Sequence, residues 1–150
     1  MKMITFLVFI TIFIYGCVPS TTNFVETDYA LNEIQEVTVG SSMMSWAYGT
    51  ERTPGLFEEG VGTTRDGIRK ELVYSGIGQD ILKVTYREYA ISPDRGELAR
   101  SSFYQNLEYT IEPGETITFQ DVVIRVHSYT SDTIEYEILQ GPEDVDKYSE

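Results

Sequence analysis

Two side chains that could carry chemistry occur once each in this sequence, Cys17 and His127. A thiol can attack a substrate, ligate zinc or form a disulfide, and an imidazole can act as a general base near neutral pH. A single cysteine forms no intrachain disulfide, and one cysteine with one histidine cannot complete a zinc site. His127 lies two positions after Arg125, so in a strand the two side chains share one face and the apolar residues between and around them occupy the other. We therefore predict that His127 faces solvent rather than a substrate.

Carboxylates are the abundant reactive groups, with 24 acidic against 11 basic side chains and a net charge of −13. Glycoside hydrolysis uses two carboxylates at a defined separation, but at this density pairs arise by chance on any strand surface. Neither residues 143–146 nor residues 94–97 continue as a calcium-binding loop. The sequence therefore predicts no catalytic residue, no metal site and no cofactor. Its negative charge argues against nucleic acid as a partner.

The start of the chain predicts a targeting segment. Lys2 precedes an apolar run over residues 3–15 that is interrupted only by Thr5 and Thr11, which is the layout of a secretory signal. A helix of that length extends about 20 Å, less than the roughly 30 Å hydrocarbon core of a bilayer. A cleaved signal is therefore favoured over a permanent membrane anchor.

The apolar run closes with Ile14-Tyr15-Gly16-Cys17, which resembles the lipobox of bacterial lipoproteins. In that motif a small residue precedes a cysteine that is diacylated and then exposed by cleavage. The resemblance implies that residues 1–16 are a signal peptide and that Cys17 is the lipid attachment residue, carrying palmitate-type chains. It also implies a lipid-anchored protein of the bacterial cell envelope. Val18, rather than an aspartate, is compatible with sorting to the outer membrane.

The remaining chain divides into three parts by composition. Residues 17–33 are predicted to be a lipidated flexible tether, because so polar a segment buries too little apolar surface to offset its ordering entropy. Residues 34–140 are predicted to form one β domain. Residues 141–150 are predicted to be an acidic, frayed tail.

Apolar residues recur with a period of two through most of the predicted domain. The clearest hairpin runs over residues 69–89, and residues 103–138 predict a four-strand antiparallel meander with one apolar face. No segment shows a helical period of comparable strength. We therefore predict an all-β fold, a single small antiparallel sandwich or barrel of about eight strands.

Four residues are predicted as candidate partner-binding residues: Trp46, Phe57, Arg87 and Tyr89. The first two lie in residues 41–67, which we predict to be one strand followed by a long loop or a loosely paired hairpin, and long loops in compact domains are often functional. Arg87 stands between tyrosines, where a guanidinium can pair with carboxylates and stack on rings. Two alternatives remain open. Trp46 could simply cap one end of the core, and Arg87 and Tyr89 could make ordinary cross-strand pairs.

Two further stretches carry a resemblance over roughly residues 37–139. The sequence ELVYSG at residues 71–76, with YREY at residues 86–89, precedes ARSSFYQNLEY at residues 99–109. They resemble a family of uncharacterised small bacterial lipoproteins in which an "ELIYTG…YREY" hairpin precedes an "ARPAF-Q-L-Y" strand. Here Ser101 and Ser102 replace the usual Pro-Ala. The resemblance implies a shared fold and a lipid anchor, and it implies no activity.

These patterns predict a non-enzymatic binding or assembly module, held on a membrane by the lipid on Cys17. Its predicted partner is an unidentified envelope protein or glycan. The alternatives are an envelope hydrolase using paired carboxylates, and an inhibitor of a secreted enzyme. A concave pocket with two facing acids would favour the hydrolase, and a flat or convex acidic face would favour the module.

Overall fold

A computed structural model describes residues 18–55, 58, 62–79 and 81–148, with the backbone alone at residues 99–102. Cys17, the predicted signal peptide and Phe57 lie outside the described residues. The described part of the chain forms nine strands and one short helix. They are β1 Ser20–Asp28, β2 Ile34–Thr38, β3 Ser42–Thr53, β4 Thr64–Gly78, β5 Ile81–Ser92, β6 Gly96–Tyr109, β7 Thr116–Phe119, β8 Val122–Tyr129, β9 Thr133–Gln140 and α1 Glu143–Tyr148.

The strands form two antiparallel sheets. A five-stranded sheet has the order β1-β3-β4-β5-β6, and a four-stranded sheet has the order β2-β9-β8-β7. Buried and less buried residues alternate along β8 and β9, as expected for strands with one face on a core. The prediction of an all-β fold is confirmed, and a sandwich is the architecture. No helix within the described ranges is long and apolar enough to span a membrane.

The core lies between the two sheets. Its most buried large side chains include Trp46, Tyr74, Leu82, Ile124 and Tyr136. Two tyrosine hydroxyls also connect the layers: Tyr136 of β9 donates to the carbonyl of Met43 at 2.5 Å, and Tyr74 of β4 donates to the carbonyl of Thr130. The hydroxyls satisfy buried carbonyls that would otherwise be costly to desolvate.

The predicted four-strand meander is wrong. Strand β6 pairs with β5 in the five-stranded sheet, whereas β7, β8 and β9 join β2 in the other sheet. The chain changes sheets at residues 110–115, where Pro113 is followed by Gly114 with a φ of +96°. Alternation along a strand reports which side chains are buried and does not report which strand is the neighbour, so the sequence pattern could not reveal this change of sheet.

The predicted tether is also wrong for most of its length. Strand β1 pairs with β3 over its full nine residues. Phe24 is 9% exposed, lies opposite Gly49, and has the guanidinium of Arg65 4.9 Å above its ring. Neither Gly49 nor Gly67 could carry a Cβ, because backbone atoms would lie 2.1–2.3 Å from it. Backbone pairing and this one aromatic therefore order a segment whose composition is polar.

The C-terminal residues differ from prediction as well. Residues 143–148 form α1, which packs against the five-stranded sheet. Lys70 Nζ lies 2.6 Å from Asp144 Oδ2, and the rings of Tyr48 and Tyr148 lie 4.8 Å apart. Of the two alternatives for residues 41–67, the hairpin is the one observed, because β3 continues to Thr53, β4 begins at Thr64 and the two strands pair.

Candidate functional site

The structure separates the predicted partner-binding residues. Trp46 is 1% exposed and belongs to the core, so its ring cannot contact a partner. The prediction that Trp46 binds a partner is therefore wrong, and the alternative, a residue of the core, is correct. Phe57 lies outside the described residues. Arg87 and Tyr89 both project from β5 on the face of the five-stranded sheet that points away from the core, which we call the outer face.

Glu71 of β4 brings Arg87 and Tyr89 together. Its Oε1 atom accepts hydrogen bonds from the hydroxyl of Tyr89 at 2.8 Å and from Nη1 of Arg87 at 3.3 Å. The carboxylate is 17% exposed and the guanidinium 39% exposed. The strand register accounts for the meeting, because Arg87 lies opposite Glu71 and Tyr89 lies two residues further along β5.

The pKa values of this cluster keep its donors protonated. Burial raises the pKa of the Tyr89 phenol, and its hydrogen bond to Glu71 and the charge of that carboxylate raise it further. Burial lowers the pKa of Arg87, but its hydrogen bonds to Tyr89 and Glu71 outweigh that effect and the pKa is raised. Both donors to Glu71 therefore stay protonated at neutral pH.

A hollow of about 250 Å³ opens beside this cluster, further along β4 and β5 and bordered also by β6. Thr85 lies at its base, 2% exposed although it is on the outer face. Its Oγ1 atom lies 2.7 Å from Oγ of Ser75 and donates to Oδ1 of Asn106 at 3.3 Å. The residues around the hollow are Ser75, Lys83, Val84, Thr85, Tyr104, Asn106 and Glu108.

The rim of the hollow is aromatic on one side and charged on the other. Tyr104, opposite Arg87 in the register, is 59% exposed. Lys83 Nζ lies 3.7 Å from Glu108 Oε1, and both side chains are exposed. Cation and carboxylate balance each other at this rim. We call the combined surface the outer-face patch: Glu71, Ser75, Lys83, Thr85, Arg87, Tyr89, Tyr104, Asn106 and Glu108.

The rest of the outer face is a network of paired charges. Arg65 contacts Glu26 and Glu51, and Arg69 contacts Glu97 and, at 3.8 Å, Glu26. Pairs this exposed add little to stability. The two arginines offset part of the charge of the three glutamates on this face.

A second polar cluster lies on the inner face, where α1 covers the five-stranded sheet. Burial lowers the pKa of Lys70, but hydrogen bonds to Asp144 and Tyr48 outweigh it and the pKa is raised. Burial raises the pKa of Asp144, and Lys70 lowers it by more. Tyr86 donates to Oε2 of Glu88 at 2.9 Å. Lys70 therefore stays protonated, and its ion pair with Asp144 holds α1 against the sheet. A protonated lysine is unsuited to act as a nucleophile.

His127 lies on the face of the four-stranded sheet that points away from the core, as its alternation predicted, but its side chain is only 29% exposed and its Nε2 atom is buried. Its Nε2 atom is 3.5 Å from Oε2 of Glu137, which also accepts from Arg125 at 3.0 Å. Among the described residues, no group of three or more potential ligands is arranged to hold a metal ion.

Sequence reasoning identified Arg87 and Tyr89 but missed Glu71 and the residues of the hollow. Register irregularities at Tyr74/Gly76 and at Arg87/Tyr89 shift the strand partners on both sides of β5. Such shifts have no reliable sequence signal, so Thr85 could not be placed opposite Asn106 in advance. The glycine at position 76, with a φ of +91°, is the one visible sign of the first irregularity.

Comparison with protein-family models, with curated proteins and with solved structures finds no match to this chain. The resemblance to small bacterial lipoproteins therefore stays a prediction that rests on the residues carrying it. The site has to be judged by its geometry and its chemistry.

Proposed function

We propose that this protein is a lipid-anchored, non-enzymatic binding module of the bacterial cell envelope that contacts its partner through the outer-face patch. The observation that carries the proposal is the shared carboxylate of Glu71, which holds Arg87 and Tyr89 in one arrangement on a solvent-facing sheet. Side chains fixed before binding lose less entropy when a partner arrives. Tyrosine and arginine are also the residues most enriched at interface centres.

The carboxylates of the patch support binding over hydrolysis. A glycoside hydrolase needs one acid with a raised pKa facing a second carboxylate. Here Glu71 is engaged by Arg87 and Tyr89, and Glu108 is engaged by Lys83. Inhibition of a secreted enzyme would be a special case of the same binding module.

The lipobox resemblance supports the lipid anchor, and the position of β1 limits how far the domain can lie from that anchor. Only Val18 and Pro19 separate Cys17 from the start of β1, and so few residues span about 10 Å. A lipid on Cys17 would thus hold this end of the sheet close to the membrane. The patch begins near the level of Asp28, at the other end of β1, roughly 25–30 Å further out. The patch would then lie towards the end of the sheet that is further from the membrane.

The anchor is tested by replacing Cys17 with Ser in the native host. We expect Cys17→Ser to stay unprocessed and to lose lipid attachment, whereas Ser20→Ala, three residues on, should behave as wild type. Membrane fractionation, with metabolic labelling by a palmitate analogue, measures both. A Cys17→Ser chain that is cleaved and still firmly membrane-bound would contradict the anchor.

Binding is tested by chemical crosslinking in native membranes with a matched pair of variants. Arg87→Ala removes a guanidinium that is 39% exposed and paired with a 17% exposed glutamate, and Arg125→Ala removes one that is 42% exposed and paired likewise on the other sheet. We expect Arg87→Ala to lose the crosslinked species and Arg125→Ala to keep them. Equal yields from both variants would exclude the patch as the binding surface.

A further inference from the structure

We infer that the hollow beside Tyr104 binds a neutral saccharide ring. This inference rests on the proposed binding function and names its ligand class. It depends on three features of the outer-face patch: an exposed aromatic ring, a hydrogen-bonded base that presents fixed donors and acceptors, and a rim without net charge.

Tyr104 supplies the aromatic wall. Its side chain is 59% exposed although it lines the hollow. One face of a pyranose ring carries mainly C–H groups, and these pack on the electron-rich face of an aromatic ring. Tyrosine offers a large, rigid and amphipathic contact area at a low entropy cost. An exposed tyrosine beside a polar hollow is therefore suited to a ligand with one apolar and several polar edges.

The base of the hollow orients its polar atoms. The hydroxyls of Ser75 and Thr85 lie 2.7 Å apart, where either can donate, and Ser75 also lies 3.5 Å from the carbonyl of Val73. Thr85 donates to Oδ1 of Asn106 at 3.3 Å, which holds the amide with its oxygen towards Thr85 and its N–H donors away from it. Ser75 is exposed and presents its acceptor lone pairs. Sugar hydroxyls, which both donate and accept, fit such a set.

The volume of the hollow and the charges around it limit the class of ligand further. A volume of about 250 Å³ is below the 300–1,000 Å³ typical of sites for drug-sized ligands, which favours a single ring over an extended cofactor. Lys83 and Glu108 balance each other at the rim. The net charge of −13 repels anions at longer range. A neutral hexopyranose or N-acetylhexosamine unit meets all three conditions.

Two other hollows in the described part of the chain fit a sugar less well. The hollow near Glu26 and Arg69 has no aromatic residue in its lining. The larger hollow near Tyr29 and Leu31 is bordered by Glu143 and Asp146, and the Tyr29 hydroxyl lies against Gly141. A ring buried against a glycine in this way offers less face for stacking.

The inference is tested by titration calorimetry on the full-length chain in an amine-oxide detergent, which carries no sugar headgroup. The probes are triacetylchitotriose, maltotriose and mannotriose, with trigalacturonate as the anionic comparison. We expect at least one neutral trisaccharide to bind. Tyr104→Ala should weaken that binding about tenfold and Tyr104→Phe should change it less than about twofold. Asn106→Ala should weaken it as well.

Phe103→Ala is the matched control, because it removes the neighbouring exposed ring, which is not among the residues around the hollow. It should bind as wild type, and thermal melts confirm that each variant is folded. The inference is overturned if no neutral probe binds at about 10 mM, if only trigalacturonate binds, or if Tyr104→Ala binds as wild type. If calorimetry detects no saccharide binding but crosslinking in membranes still requires Arg87, the saccharide inference is wrong and the proposed binding function is retained.

Discussion

Glu71 is the residue that organises the candidate site, because it accepts hydrogen bonds from both Arg87 and Tyr89. Arg87 and Tyr89 stand out in the sequence as an arginine beside tyrosines, but their geometry depends on a carboxylate sixteen positions before Arg87 in the chain. The bond at 2.8 Å from Tyr89 is the shorter of the two. A charged acceptor makes such a bond stronger than a neutral one. The patch is therefore organised before any ligand binds.

Ile124 and Leu107 provide a prediction at the scale of single residues. Both belong to residues 103–138, whose alternation predicts one apolar face, but Ile124 is 1% exposed and Leu107 is only half-buried on the edge strand β6. We expect Ile124→Ala to lower the free energy of unfolding by about 2–5 kcal/mol. Leu107→Ala should cost clearly less, because less surface and fewer contacts are lost.

Urea unfolding followed by far-ultraviolet circular dichroism measures both variants. Thr118→Ala, at an exposed position in β7, serves as the surface control and should stay within about 0.5 kcal/mol of wild type. A cost for Leu107→Ala equal to or above that for Ile124→Ala would show that β6 is packed more tightly than its burial indicates.

At the scale of elements, the parts that sequence reasoning placed correctly are those with strong alternation. The hairpin of β4 and β5, and strands β8 and β9, have one apolar and one polar face, so their type followed from the period. Strand β1 has a single buried aromatic and α1 only six residues. These two elements are held in place by contacts with residues distant in sequence, such as Phe24 opposite Gly49. Such contacts cannot be predicted from composition alone.

A fragment of residues 34–140 tests this account of the elements. The fragment matches the β domain as composition defines it, but it lacks β1 and α1. We expect it to be less stable than residues 18–150 by at least about 2 kcal/mol. The loss has two causes: the edge of β3 is uncovered, and Lys70 is left without Asp144. Urea midpoints compare the two, and equal midpoints would show that β1 and α1 are dispensable attachments.

For the molecule as a whole, buried tyrosines make stability depend on pH in the alkaline range. Burial, and then the charge of Asp28, raise the pKa of Tyr136 to about 12. An unfolded tyrosine loses its proton near pH 10. The folded state therefore holds a proton that the unfolded state releases, so stability is complete below pH 10 and falls as the pH rises towards 12. For this residue the loss is about 2–3 kcal/mol.

Urea unfolding at a series of pH values from 8 to about 12 checks the direction. Tyr136→Phe should be less stable at neutral pH, because the hydroxyl no longer satisfies the carbonyl of Met43. It should also show a shallower alkaline decline than wild type. An unchanged slope in Tyr136→Phe would assign the decline to other groups, and a rise in stability with pH would contradict the proton linkage.

The central claim is that the outer-face patch is the surface through which this protein binds in the envelope. Photocrosslinking in living cells tests it most directly, with p-benzoylphenylalanine in place of Tyr104 or, as control, of Thr118 on the outer side of the four-stranded sheet. Benzophenone inserts into C–H bonds, so it captures protein and glycan alike. We expect a discrete adduct from position 104 and none from position 118. Adducts from both positions, from position 118 alone or from neither would contradict the claim.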